Sequence, residues 1–166
     1  MTSSSSPRPS SPEPPEGPRA QTMKFQGLAN RIVQGLLHVP LLNRAVGARL
    51  VTLYVVGRKS GRHFTVPVAY TRQGEDLLIG TPFGWGRNLR TGEPVDILLR
   101  GKRRPADVQA FRDEADVVAN YAIMARDNRA FANFNKIKFD ANGEPSAEDL
   151  HLAWVAGARA FRLTPR

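Results

Sequence analysis

Arg58, Lys59 and Arg62 crowd one short stretch of this chain, with Ser60 among them and glycines at positions 57 and 61. A guanidinium offers a fork of N–H donors that matches two oxygens of an oxyanion, whereas an ammonium acts as a compact point charge. A serine hydroxyl and glycine backbone N–H groups can complete such a grip on a phosphate or carboxylate. The same residues also make an ordinary polar turn, so the composition of the stretch leaves both readings open. Tyr70 and Tyr121 are candidate proton donors, and each also fits a place in the core.

Other chemistry is narrowed by what the chain lacks. It has no cysteine, which removes disulfides, thiol catalysis and thiolate-ligated metals. His38, His63 and His151 are far apart in sequence, which argues against a histidine metal site. The chain has no Gly-x-Gly-x-x-Gly after a strand, no Walker-type phosphate loop and no Gly-x-Ser-x-Gly elbow. Paired carboxylates do not stand out either. Redox or group-transfer chemistry here would have to be carried by a bound cofactor.

The elements around the cationic stretch read as strands. Leu50–Val56 precedes it and Phe64–Tyr70 follows it, both rich in β-branched and aromatic residues, so the pair forms a hairpin. Gln73-Gly74-Glu75-Asp76 turns the chain into a strand over Leu77–Thr81. Pro94–Arg100 alternates with a period of two, Gly101–Arg104 turns it back, and Ala106–Phe111 continues as the next strand. Asp113 opens a helix with Glu114 and Asp116 in its first turn, Arg126 in its last, and Val117, Val118, Tyr121 and Met124 buried. A short helix follows over Asn128–Lys138, anchored by Phe131 and Phe134, and another runs from Ser146 to about Trp154. Ala158–Leu163 makes the last strand. The expected fold is α+β: a split β-barrel of about six mainly antiparallel strands, with an N-terminal helix and helices inserted before the last strand.

Length and charge set the frame. The 166 residues suit one domain plus a tail, and a net charge of +9 points to anionic partners. Residues 1–22 are rich in Ser and Pro and are expected to be a disordered tail ahead of one domain over 23–166. Phe25, Leu28, Ile32, Val33, Leu36 and Leu37 recur at helical spacing before Pro40, a helix that could pack on its own domain or touch a membrane surface. The tail has no signal-peptide core, and no apolar run reaches the ~20 residues needed to span a bilayer, so a cytoplasmic protein is expected, with membrane association open.

Gly57-Arg58-Lys59-Ser60-Gly61, then Thr65-Val66-Pro67-Val68, then Trp85 with Asn88-Leu89-Arg90 and the strand at Val95, resemble the deazaflavin-dependent nitroreductase and quinone-reductase family. That family is largely actinobacterial and adopts a split β-barrel like that of flavin-binding reductases. The resemblance runs over roughly residues 50–112. It implies a site for the reduced deazaflavin coenzyme F-420, with Arg58, Lys59 and Arg62, helped by Ser60, on its anionic tail. It also implies Val66, Pro67 and Val68 along the ring, Thr81 offering a hydroxyl, Trp85 at the ring side, and Asn88 and Leu89 in the turn beneath. The activity implied is hydride delivery to a quinone, a nitro group or an activated enone. Phe64 and Pro82 stand where members acting on bulky substrates often carry Arg and Lys, so substrate choice does not carry over.

Two rival readings stand beside this one. The same barrel could hold FMN or haem. A non-enzymatic basic module could bind nucleic acid through Arg100, Lys102, Arg103 and Arg104 with Phe111, but the strands lack interleaved exposed aromatics for base stacking, so a small-molecule substrate is expected instead. The residues do not settle an oligomeric state.

Overall fold

The computed structural model of the protein describes residues 49–166. The expected tail, the start of the domain at residue 23 and the first helix with its membrane contact lie outside these residues. Among the described residues there are seven strands: β1 (Leu50–Val56), β2 (His63–Ala69), β3 (Thr71–Gln73), β4 (Asp76–Thr81), β5 (Val95–Leu99), β6 (Lys102–Phe111) and β7 (Arg159–Pro165). A short 3₁₀ segment (Gly84–Asn88) follows β4. Helices α1 (Glu114–Asp127), α2 (Arg129–Phe134) and α3 (Ala147–Val155) lie between β6 and β7.

The strands form one sheet in the order β2-β1-β5-β6-β7-β4-β3, and every neighbouring pair is antiparallel. Its two edge strands, β2 and β3, are joined by Tyr70 alone. One residue cannot span a flat sheet seven strands wide, because strands are spaced about 4.8 Å apart. The sheet therefore curls until its edges meet. The fold is α+β, a split barrel closed by chain continuity rather than by a last ladder of hydrogen bonds.

Alternation sorts the side chains. Val51, Leu53 and Val55 of β1 point into the barrel, where they meet Leu77, Ile79, Ile97, Val108, Phe161 and Leu163. Each such side chain, fully buried, contributes roughly 1.5–3 kcal/mol by leaving water. The outer side of β4 and β7 carries a second core. There Leu78 and Ala160 pack against Val117, Tyr121, Met124 and Leu150 of the helices. Asn128 caps α2 by accepting from the Ala130 and Phe131 N–H groups, and Ser146 caps α3 through Asp149 N–H.

Three sequence expectations change. β3 is an additional strand, held by its register with β4 across the Gly74 turn. Lys102, Arg103 and Arg104 are not the turn. They begin β6, and the turn is Arg100-Gly101 between the paired Leu99 and Lys102. Phe134 is no core anchor: it is 60% exposed, whereas Phe131 packs edge-on against Tyr121 with ring centres 5.1 Å apart.

Candidate functional site

The β1–β2 turn is a tightly bonded loop. Gly57 N–H donates to Arg62 O and Gly61 N–H to Gly57 O, both at 2.7 Å, and Arg62 N–H donates to Ser60 Oγ at 3.3 Å. Gly61 takes φ +64°, the left-handed region that glycine tolerates, and a Cβ on Gly57 would come within 2.8 Å of Ser60 Oγ. The Ser60 hydroxyl therefore first holds its own turn.

Asn88 ties this turn to the 3₁₀ segment. Its Oδ1 accepts the Arg58 backbone N–H at 3.1 Å, and its Nδ2 donates to Trp85 O at 3.0 Å. Two motifs 30 residues apart in sequence are thereby clamped together. Between them opens a cleft of about 610 Å³, with Arg58, His63, Asn88, Leu89 and Glu93 in its walls.

Charge in the cleft is partly matched. Arg58 forms an ion pair with Glu93. Arg103 bonds Asp96 at 3.0 Å, with its guanidinium 4.2 Å from the centre of the Tyr54 ring. Lys59 and Arg62 are exposed on the same turn but do not line the cleft, and among the described residues neither meets a carboxylate. The turn beside the cleft therefore carries the surplus positive charge.

The remaining expected residues are distributed as follows. Leu89 is buried in the barrel core and also lines the cleft. Trp85 is half-buried against the same core. Val66 and Val68 pack on the barrel core opposite Leu53 and Val51, while strand alternation turns Pro67 to the other face, so the three do not form one wall. Thr81 is only 1% exposed, and its Oγ1 accepts from Phe83 N–H at 3.1 Å. That hydroxyl is committed to the backbone.

Neither tyrosine lines the cleft. Tyr70 sits in the barrel core at the far end of β1, its N–H donating to Arg49 O at 3.0 Å. Tyr121 is enclosed in the helical core, and its hydroxyl meets no hydrogen-bond partner there. Burial pushes the Tyr121 phenol well above its ordinary pKa, against a smaller opposing pull from Arg159. Phe111, the aromatic offered for a nucleic-acid patch, is buried in that helical core as well.

Sequence reasoning missed His63 and Glu93. His63 lies in the run that follows the cationic turn and could have been marked as an imidazole beside an anion grip. Nothing in the sequence signals that Glu93, 35 residues from Arg58, closes on it.

No family model matches the sequence, and no curated protein matches it. Solved structures of similar chains exist. One is titled F420 reductase, at 14% identity over 72% of this chain and 87% of that one, with a TM-score of 0.42. A pyridoxamine 5′-phosphate oxidase-related, FMN-binding protein from Nostoc punctiforme is similar at 15% identity, covering 80% and 79%, with a TM-score of 0.48. A structure from Bacteroides thetaiotaomicron, titled for 5-nitroimidazole antibiotic resistance, is similar at 9% identity, covering 76% and 79%, with a TM-score of 0.40. At such identities and TM-scores these likenesses lend no weight to any one cofactor or activity. The chemistry rests on this chain's own residues.

Proposed function

We propose that the protein is an oxidoreductase that binds the reduced deazaflavin coenzyme F-420 at the cleft and serves an electron-poor organic acceptor, a quinone, a nitro compound or an activated enone. The observation that carries this reading is the Asn88 clamp, which joins the Arg58 turn to the Trp85 segment on one cleft. The residues fit the group. Lys59 and Arg62 offer unmatched cations on the turn beside the cleft for a polyanionic tail, and Arg58 can share its fork between Glu93 and that tail. When bound, the coenzyme supplies the hydride.

This chain's residues do the rest. Leu89, Val95 and Val55 give the cleft apolar walls that exclude water from part of it. The Asn88 clamp holds those walls to the cationic turn, so a bound group is oriented as well as gripped. His63, an exposed imidazole on the cleft wall, would hand a proton to the reduced acceptor. Tyr70 and Tyr121 act as packing groups in this scheme. Fluorescence titration with F-420 and FMN side by side tests the cofactor: tighter F-420 binding supports the reading, and equal or tighter FMN binding overturns it.

A further inference from the structure

A second cavity, of about 310 Å³, lies at the opposite end of β1 from the Arg58 turn. Arg49, Tyr70, Arg72, Arg100 and Asp127 line it. These residues come from the start of β1, the junction of the two edge strands, β3, the β5–β6 turn and the end of α1. With seven residues of β1 between them, the two sites are roughly 20 Å apart, at about 3.3 Å per residue.

Three cations face one carboxylate in this cavity. Arg49 Nη1 lies 2.6 Å from both Asp127 oxygens, which fixes that guanidinium while leaving its other N–H groups free of Asp127. Arg72 uses Nε on Gly74 O at 3.1 Å, so its terminal nitrogens remain outside that bond. Among the described residues, Arg100 meets no carboxylate.

A separate observation concerns the backbone. Arg100 and Gly101 form the two-residue turn between Leu99 and Lys102, with φ +49° and +77°. Turns with both φ values positive favour Asn or Gly at the first position, because a Cβ is crowded there. An arginine gains nothing from that conformation. Among the described residues only Arg100 and Lys136 (φ +58°) are non-glycines in this region, and such backbone clusters at ligand clamps and switch regions.

We propose that Arg49, Arg72 and Arg100 around Tyr70 form a second anion site, whose ligand is a phosphate group, free or as a small monoester. Forked guanidiniums match tetrahedral oxyanions, and the cavity is large enough for an organic body beside the phosphate. Tyr70, packed in the barrel core, closes the floor of the cavity. This proposal is independent of the cofactor reading, since the two sites share no residue.

The test is calorimetric titration and thermal unfolding with inorganic phosphate and with glycerol phosphate, against chloride at matched ionic strength. The wild-type chain should bind phosphate and gain stability beyond chloride. Arg100→Asn should weaken binding about tenfold or more, the scale of one charge-assisted hydrogen bond. The same variant should raise Tm in the absence of ligand by roughly 2–4 °C, because asparagine suits the turn. Arg72→Ala, on an exposed strand position, should weaken binding without that rise. Stronger binding of the ester identifies an organic phosphate as the ligand, and equal binding identifies the free ion. Phosphate acting no better than chloride overturns the proposal. So does wild-type phosphate binding in Arg100→Asn or Arg72→Ala, and so does binding lost in an Arg58/Lys59 double alanine variant.

Discussion

Asn88 accepts the backbone N–H of Arg58 at 3.1 Å, and through this bond a turn between two barrel strands is held to the segment that carries Trp85. Each such hydrogen bond contributes about 0.5–1.5 kcal/mol net, and the loss is larger where a partly buried group is left unpaired. Asn88→Ala should therefore cost about 1–3 kcal/mol in urea unfolding and also weaken F-420. Asn88→Asp keeps the acceptor for Arg58 N–H but loses the donor to Trp85 O, and should fall between the two. Wild-type stability in the alanine variant would show that the clamp carries no energy.

Glu93 competes for Arg58 in the absence of a ligand. Glu93→Gln removes the carboxylate and keeps the shape, so F-420 should bind several-fold more tightly. Stability should change by less than about 1 kcal/mol, as for other exposed ion pairs. Paired affinity and unfolding measurements check both halves, and weaker F-420 binding in this variant would mean that Glu93 itself holds the coenzyme.

Trp85 packs half-buried on the barrel core and does not line the cleft, so it serves the fold first. Trp85→Ala should lower stability by about 2–4 kcal/mol, somewhat below the cost of truncating a fully buried aromatic. Cofactor affinity should fall with it. A variant that loses affinity while keeping full stability would place the ring on the ligand rather than on the core.

Tyr121 makes a sharper case against a tyrosine proton donor. Its hydroxyl is buried without a partner, so Tyr121→Phe should leave stability unchanged or raise it by about 1 kcal/mol. The phenol's pKa is raised from 10.0 in the folded state. The unfolded chain therefore ionises first on the alkaline side: stability is intact below pH 10 and falls as pH rises beyond it. Tyr121→Phe should flatten that alkaline loss while turnover is kept. Turnover that collapses in the variant would restore Tyr121 as a catalytic group.

Much of this architecture was legible in the residues. Runs of β-branched and aromatic residues marked β1 and β2, and the period of two marked β5, because half-buried strands must alternate. β3 was missed because Thr71-Arg72-Gln73 is too short and polar to alternate, and only its pairing with β4 makes it a strand. Lys102–Arg104 read as a turn because strands seldom open on a charge run. Pairing with β5 puts them in the sheet instead. The stripe through Val117, Tyr121 and Met124 correctly gave a buried helix face, but periodicity cannot say which side of a curled sheet that face meets. The site shows the same division. The cationic turn and Asn88 were readable as motifs, whereas the Arg58–Glu93 pair and the split of Pro67 from Val66 and Val68 depend on the fold.

If the β1–β2 turn holds the anionic tail of F-420, as proposed, titration of wild type against the Arg58/Lys59 double alanine variant will show it. The double variant should bind F-420 about 2–4 kcal/mol more weakly, counting charge-assisted hydrogen bonds at about 1.5–3 kcal/mol each and discounting for exposure. Wild-type affinity should fall as salt is added, and the variant should lose most of that dependence. Its thermal stability should barely move, since the turn is exposed and buries little. Wild-type affinity in the double variant, with the same salt response, would mean that the turn does not hold the coenzyme and is only a turn.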